Sequence, residues 1–236
     1  LFFLPLSLSP STSTSTKRVL ELGVGSGYVI ASAARLIANR HIFHSTGGLK
    51  TEEERDEELS KRGRRRRRRQ AALFAVDVSA FAARDACATL RAHSQRAKEE
   101  STRAAPVASV DVALADLAAP FLPRLAGAVD LLLFNPPYVP TPPSEVFRPG
   151  EGGRTDIAAA WAGGNKGREV VDRALPLIAR FLSKARHRGV ALVVALAEND
   201  VSDLLRVARS HGLCGEVVAE RSADEERLFV LRLVLE

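Results

Sequence analysis

The chain has no methionine in 236 residues, only two cysteines, and no apolar run of transmembrane length. Each shortage excludes something. Cys87 and Cys214 fall in predicted helical or loop segments and lack the paired spacing of a metal or redox site, so free thiols in a reducing compartment are expected. The apolar stretches suit buried strands and fall short of the ~20 residues a membrane helix needs. The five histidines (His41, His44, His93, His187 and His211) form no motif and read as surface or packing residues, so no metal site is expected. The start is unusual. The chain opens at Leu1 with Leu-Phe-Phe-Leu-Pro-Leu-Ser-Leu and a Ser/Thr repeat from Ser11 to Thr16, with none of the basic residues a signal peptide places ahead of its apolar core. Residues 1–16 therefore read as a truncated or misread gene start, and 17–236 as a single domain.

The net charge of +6 is also less informative than it looks. Asn39 to Gln70 carries eleven Lys and Arg against six acids, which is five of the six net charges. The rest of the chain is nearly neutral, whereas a nucleic-acid enzyme spreads a basic face over its own domain. An acidic block, then a basic block, with little apolar content, reads as a disordered insertion at about 40–70. A nuclear-import or ribosomal-RNA role for Lys61 to Arg69 is the alternative. The expected compartment is the cytoplasm, with the nucleus second. Ser94 to Ala105 and Phe147 to Thr155 read as further loops, the latter placed to cover a substrate.

Among what is present, Val129 to Phe134 is a continuous apolar run with an early Asp130, the pattern of a strand buried on both faces. It stops at Asn135-Pro136-Pro137-Tyr138. Proline fixes φ and donates no N–H, so the pair ends the strand in a rigid turn. That turn offers a carboxamide, two carbonyl acceptors and an aromatic face at a strand's carboxyl edge, where open α/β sheets bind ligands. A plain proline turn is the bland alternative.

Upstream, Lys17 to Leu22 reads as a strand running into Gly23-Val24-Gly25-Ser26-Gly27, followed by a helix from Tyr28 to Ala38. As a dinucleotide fingerprint the loop fails, because Tyr28 stands where the third glycine belongs. As E-x-G-x-G-x-G, from Glu21 to Gly27, it is complete, and that is the pattern of S-adenosylmethionine-dependent methyltransferases. Such a cofactor needs close backbone around its aminocarboxypropyl group and carboxylates near its ribose and sulfonium. Leu73 to Asp77 is a short strand ending in the acid expected on the ribose hydroxyls. Val110 to Leu117 alternates like a strand and carries Asp116 at its end, placed for the adenine amino group with Leu117 beside it. Either Asp could instead cap a following helix.

The chain resembles the HemK-type protein glutamine methyltransferases, in their archaeal and eukaryotic branch. The strings that carry the resemblance are Asn135-Pro-Pro-Tyr-Val-Pro-Thr-Pro-Pro-Ser-Glu-Val146 and Ala159-Ala-Trp-Ala-Gly-Gly-Asn-Lys-Gly-Arg-Glu-Val-Val-Asp-Arg173. The likeness runs from about Arg18 to Leu235. It implies a doubly wound, mostly parallel seven-stranded sheet in the order 3-2-1-4-5-7-6. It implies a substrate, the glutamine of the Gly-Gly-Gln motif in a class I translation release factor. It also implies a small zinc-binding activator subunit, for which the edge strand Ser109 to Leu114, next to apolar Ala118 to Leu125, is the expected dock. The family's N-terminal segment, which closes over the cofactor, is not recognisable here. The Asn-Pro-Pro-Tyr signature is shared with adenine and cytosine N-methyltransferases, so an N6-adenine enzyme, a protein lysine methyltransferase and a non-catalytic scaffold remain alternatives. Trp161 reads either as core packing or as part of a loop beneath the substrate. The remaining elements are expected as helices Arg168 to Lys184 and Asp200 to His211, a strand Gly189 to Leu196, and a closing antiparallel pair, Gly215 to Glu220 with Arg227 to Leu235.

Overall fold

The computed structural model describes residues 17–38, 71–99, 110–147, 157–185, 189–223 and 226–236. Residues 1–16, the charged insertion with Lys61 to Arg69, and positions 148–155 of the loop after the Asn-Pro-Pro-Tyr turn lie outside the described residues. Five parallel strands form the centre: β1 (Lys17–Leu22), β2 (Ala71–Asp77), β3 (Val110–Leu114), β4 (Leu131–Phe134) and β5 (Val190–Leu196). The hairpin of β6 (Leu213–Ala223) and β7 (Glu226–Leu235) adds to β5 antiparallel through β7. The order is β3-β2-β1-β4-β5-β7-β6, as expected.

Alternation along these strands feeds two cores. Leu20, Leu22, Phe74, Val76, Leu132 and Phe134 face one side, where α4 (Glu169–Phe181) and α5 (Val201–Ser210) pack. Val19, Leu73, Ala75, Leu131 and Leu133 face the other, against α1 (Tyr28–Ala38) and α2 (Ala80–Glu99). A strand buried on both faces must be apolar throughout, which is why β4 reads as Leu-Leu-Leu-Phe. Helix α4 shows the complementary logic: Val171, Ala174, Leu175, Ile178 and Phe181 form one buried stripe at helical spacing. Each large side chain so buried is worth ~1.5–3 kcal/mol. Helix α5 is capped by the Asp200 carboxylate, which accepts from the Asp203 N–H, and is closed by Gly212 at φ +77°.

Three expectations need correcting. The strand expected from Val110 to Leu117 ends at Leu114: the Ala115 N–H still donates to the Asp77 carbonyl, and the chain then turns, with Leu117 at φ +52°. Ser94 to Glu99, expected as loop, is the last part of α2. Its Gln, Arg, Ala, Lys and Glu are polar but good helix formers, so polarity alone misled. Ala118 to Leu125 is not an open apolar surface. Phe121 and Leu125, in a 3₁₀ turn and the short helix α3 (Leu122–Leu125), are buried, with Phe121 edge-on to Phe74.

Candidate active site

The carboxyl ends of β1, β2 and β4 bring the sequence-predicted residues together. Leu22 pairs with Phe134 in the last register position of β1 and β4, so Gly23 and Asn135 leave the sheet side by side. A Cβ on Gly23 would stand 3.7 Å from the Asn135 carbonyl oxygen. The glycine loop and the Asn-Pro-Pro-Tyr turn therefore lie side by side. Gly27 shows why this loop demands glycine. At φ +76°, a Cβ there would come within 2.9 Å of Ala86 on α2. Gly25 faces open space and donates its N–H to Asp77 Oδ2 at 2.9 Å.

Asp77 ties two loops. Its Oδ1 accepts from the Ser79 N–H at 2.9 Å, while Ser79 Oγ accepts from Ala82 and is the helix cap of α2. Each Asp77 oxygen keeps a second lone pair for a ligand hydroxyl. Glu21, 3% exposed at the end of β1, has Oε2 buried without a hydrogen-bond partner. Burial pushes its carboxyl up to about 8, and the nearby charge of Asp77 adds to this against a bond from the Ile30 backbone. A buried acid with one oxygen left without a partner beside an open glycine loop fits a cationic ligand group. Asp116, in the turn after β3, is ion-paired with Arg173 of α4. Leu117 beside it packs on the core.

Within the turn, Asn135 is exposed, Pro136 is buried, and Pro137 and Tyr138 are half-buried. Burial, and secondarily the charge of Glu226, holds the Tyr138 phenol above its ordinary range, so it stays neutral. What sequence reasoning missed is how this turn is held. The Val139 N–H donates to the Trp161 carbonyl at 3.0 Å, and Gly163 donates back to Val139 at 2.9 Å. Thr141 and Gly164 exchange two more bonds. The Ala-Trp-Ala-Gly-Gly string is thus a short parallel partner to the turn, bridged at Val139 and Ala162. Trp161 itself is 41% exposed, so core packing is not its role. From α4, the buried Arg168 joins Asp172 at 2.9 Å and Asp203 of α5 at 2.6 Å. Burial opposes its charge, but the two carboxylates outweigh this and raise its affinity for the proton. Asn199, after β5, was not singled out by any motif. Its amide reaches the Tyr138 carbonyl.

Among the described residues there is no cluster of three or more His, Cys, Asp or Glu side chains able to hold a metal, and no helix long and apolar enough to cross a membrane. A surface depression lined by Arg180, Lys184 and His211 lies near the amino ends of the parallel strands, away from these loops.

No protein-family model matches the chain. Over 119 residues it is 45% identical to the human "Methyltransferase HEMK2", covering 50% of this chain and 51% of that protein. The likeness is to the HemK-type methyltransferases. The fission-yeast (Schizosaccharomyces pombe) "eRF1 methyltransferase catalytic subunit mtq2" is 37% identical over 110 residues, 47% of this chain and 45% of that one. The chain thus spans about half the length of the curated relatives it matches. The precorrin-6y C5,15-methyltransferase of Geobacter metallireducens superposes with a TM-score of 0.50 at 12% identity, over 94% of this chain and 81% of that one. With the observed strand order, that likeness makes the fold the seven-stranded class I methyltransferase fold, and the HemK-type strings sit in it on the loops described above.

Proposed function

We propose that the chain transfers the methyl group of S-adenosylmethionine to the side-chain amide nitrogen of the glutamine in the Gly-Gly-Gln motif of a class I translation release factor. The observation that carries this reading is that the glycine loop and the Asn-Pro-Pro-Tyr turn leave the sheet side by side, Gly23 next to Asn135. It sets a cofactor loop beside an amide-recognition loop. The fission-yeast relative's name points to the substrate.

In this reading Gly23, Gly25 and Gly27 admit the aminocarboxypropyl group, Glu21 faces its cationic part, Asp77 accepts from the ribose, and Asp116 with Leu117 bounds the adenine. The cofactor supplies a methyl already activated by its sulfonium. The protein's task is then placement. An amide nitrogen is a poor nucleophile because its lone pair is delocalised into the carbonyl. If the Asn135 side-chain oxygen and the Pro136 carbonyl accept its two N–H hydrogens, the nitrogen is held and polarised, with Tyr138 against the amide plane. Positioning of this kind supplies up to ~7–11 kcal/mol. No strong base is required, since the proton leaves after transfer.

The same reading includes a heterodimer with a small zinc-binding activator subunit. Among the described residues β3 is the outermost strand on its side, paired with β2 alone, and its last residue Leu114 is 61% exposed. An open edge of this kind accepts a further strand. The fission-yeast relative is itself named a catalytic subunit.

The test is a labelled-methyl assay with purified release factor, its Gly-Gly-Ala variant and duplex DNA, with and without the activator. Label on the intact factor alone is the expected result. Label on DNA would replace this reading with a nucleic-acid one, and label on a lysine with a lysine one. A folded heterodimer that binds the cofactor and labels nothing would be a scaffold.

A further inference from the structure

We infer that Asn199 is a positioning residue for the amide-recognition turn. This rests on the reading above, in which that turn holds the target glutamine. Asn199 follows β5, far from both sequence motifs, and is 1% exposed. Its Nδ2 donates to the Tyr138 carbonyl and to the Lys166 carbonyl, both at 2.8 Å, and its Oδ1 accepts from the Leu196 N–H at 2.7 Å. Two acceptors on one side and a donor on the other allow only one orientation of the carboxamide, so the assignment of N and O follows from the partners. One side chain thus closes the end of β5 onto the Asn-Pro-Pro-Tyr turn and onto the glycine-rich loop that backs it.

A second observation supports the clamp independently. Gly167 is pressed so closely between the same groups that a Cβ there would lie 1.9 Å from the Tyr138 oxygen and 2.5 Å from Asn199 Nδ2. Its φ of +67° is one that L side chains seldom adopt. The flanking residues are also left-handed: Lys166 at φ +52° and Asp200 at φ +54°, joined by an ion pair at 3.2 Å. Non-glycine residues adopt such backbone only where the surroundings hold them there. The tightest backbone in the described chain therefore converges on the carbonyl of Tyr138, through Asn199.

Asn199→Asp tests this directly. The side chain keeps its size and its acceptor for Leu196, but sets an oxygen against two carbonyls. In the full chain with its activator, the rate at saturating cofactor and release factor should fall about a hundredfold, as small misplacements near reacting groups do. S-adenosylmethionine affinity by calorimetry should not change, because the glycine loop and Asp77 are untouched. Hydrogen exchange should quicken at Val139, Thr141, Gly163 and Gly164, the amides that join the two loops, and not in β1 or β2. Unchanged exchange there in a folded variant would overturn the inference whatever the activity does. So would cofactor affinity and thermal midpoint collapsing together with turnover, the mark of a general fold defect. If Asn199→Asp does not fold, Asn199→Ala, which brings no opposing oxygen, is read by the same measurements. A parent protein that labels no release factor would end the reading of the substrate, while the exchange pattern would still decide whether Asn199 holds the turn.

Discussion

Between pH 4.5 and about 8 the Glu21 carboxyl stays protonated in the folded chain while its unfolded counterpart ionises. The folded state then binds more protons, so stability falls as pH rises through that window. Glu21→Gln removes the titrating group. Urea unfolding of the cofactor-free chain should lose this slope, with a gain over the parent that grows with pH to ~5 kcal/mol at most above pH 8. The same variant should bind S-adenosylmethionine more weakly, since it cannot supply a negative charge. A variant with the parent's pH slope would show that Glu21 ionises freely. The other acids and amides divide the work. Asn135→Ala should abolish transfer and leave cofactor affinity largely intact, because Asn135 is exposed beyond the sheet and in the proposed reading holds the target amide. Calorimetry showing lost affinity with surviving turnover would reverse that assignment. Asp77→Ala should weaken the cofactor by ~1–3 kcal/mol and also lower the thermal midpoint, because Gly25 and Ser79 both lose their acceptor.

At the scale of the element, the 163–168 loop is a template for the turn it touches. Gly167→Ala forces a Cβ against the Tyr138 carbonyl, so the turn and not the glycine loop should move. The expected outcome is turnover falling by about tenfold or more, as misplacement by a fraction of an ångström does, with cofactor affinity preserved. Equal loss of both would place the strain elsewhere. At the other end of the sheet, Val112→Pro removes an N–H from edge strand β3 and should prevent the activator from joining. Gel filtration after co-expression reads this. A variant that still forms the heterodimer would move the interface off this edge, and so would a chain that is monodisperse and fully active alone. Burial of Phe121 and Leu125 takes their side chains out of the apolar surface at this edge, where Leu114 stays exposed.

For the whole molecule, the strands and the two site loops were legible because each rests on a local pattern, while the strand order came from the family resemblance. Buried parallel strands read as apolar runs, and both motifs lie at strand ends. What was not legible is made by distance in sequence. Asn199 meets Tyr138 across 61 positions, and nothing around Glu198-Asn199-Asp200 marks it except a polar residue just beyond a buried strand. The Ala-Trp-Ala-Gly-Gly string was recognisable as a motif, yet its use as backbone partner to the turn appears only when Val139 and Gly163 bond. The tail of α2 was hidden for another reason: a polar composition suits a helix as well as a loop. In the proposed reading the glycine loop and the Asn-Pro-Pro-Tyr turn form one methyl-transfer site for an amide. The most direct measurement is fragment mass spectrometry of release factor incubated with S-adenosylmethionine and the heterodimer. One added methyl is expected on the glutamine of the Gly-Gly-Gln peptide, absent when Asn135→Ala replaces the parent. Methyl on another residue, or the same product from the Asn135 variant, would contradict that reading.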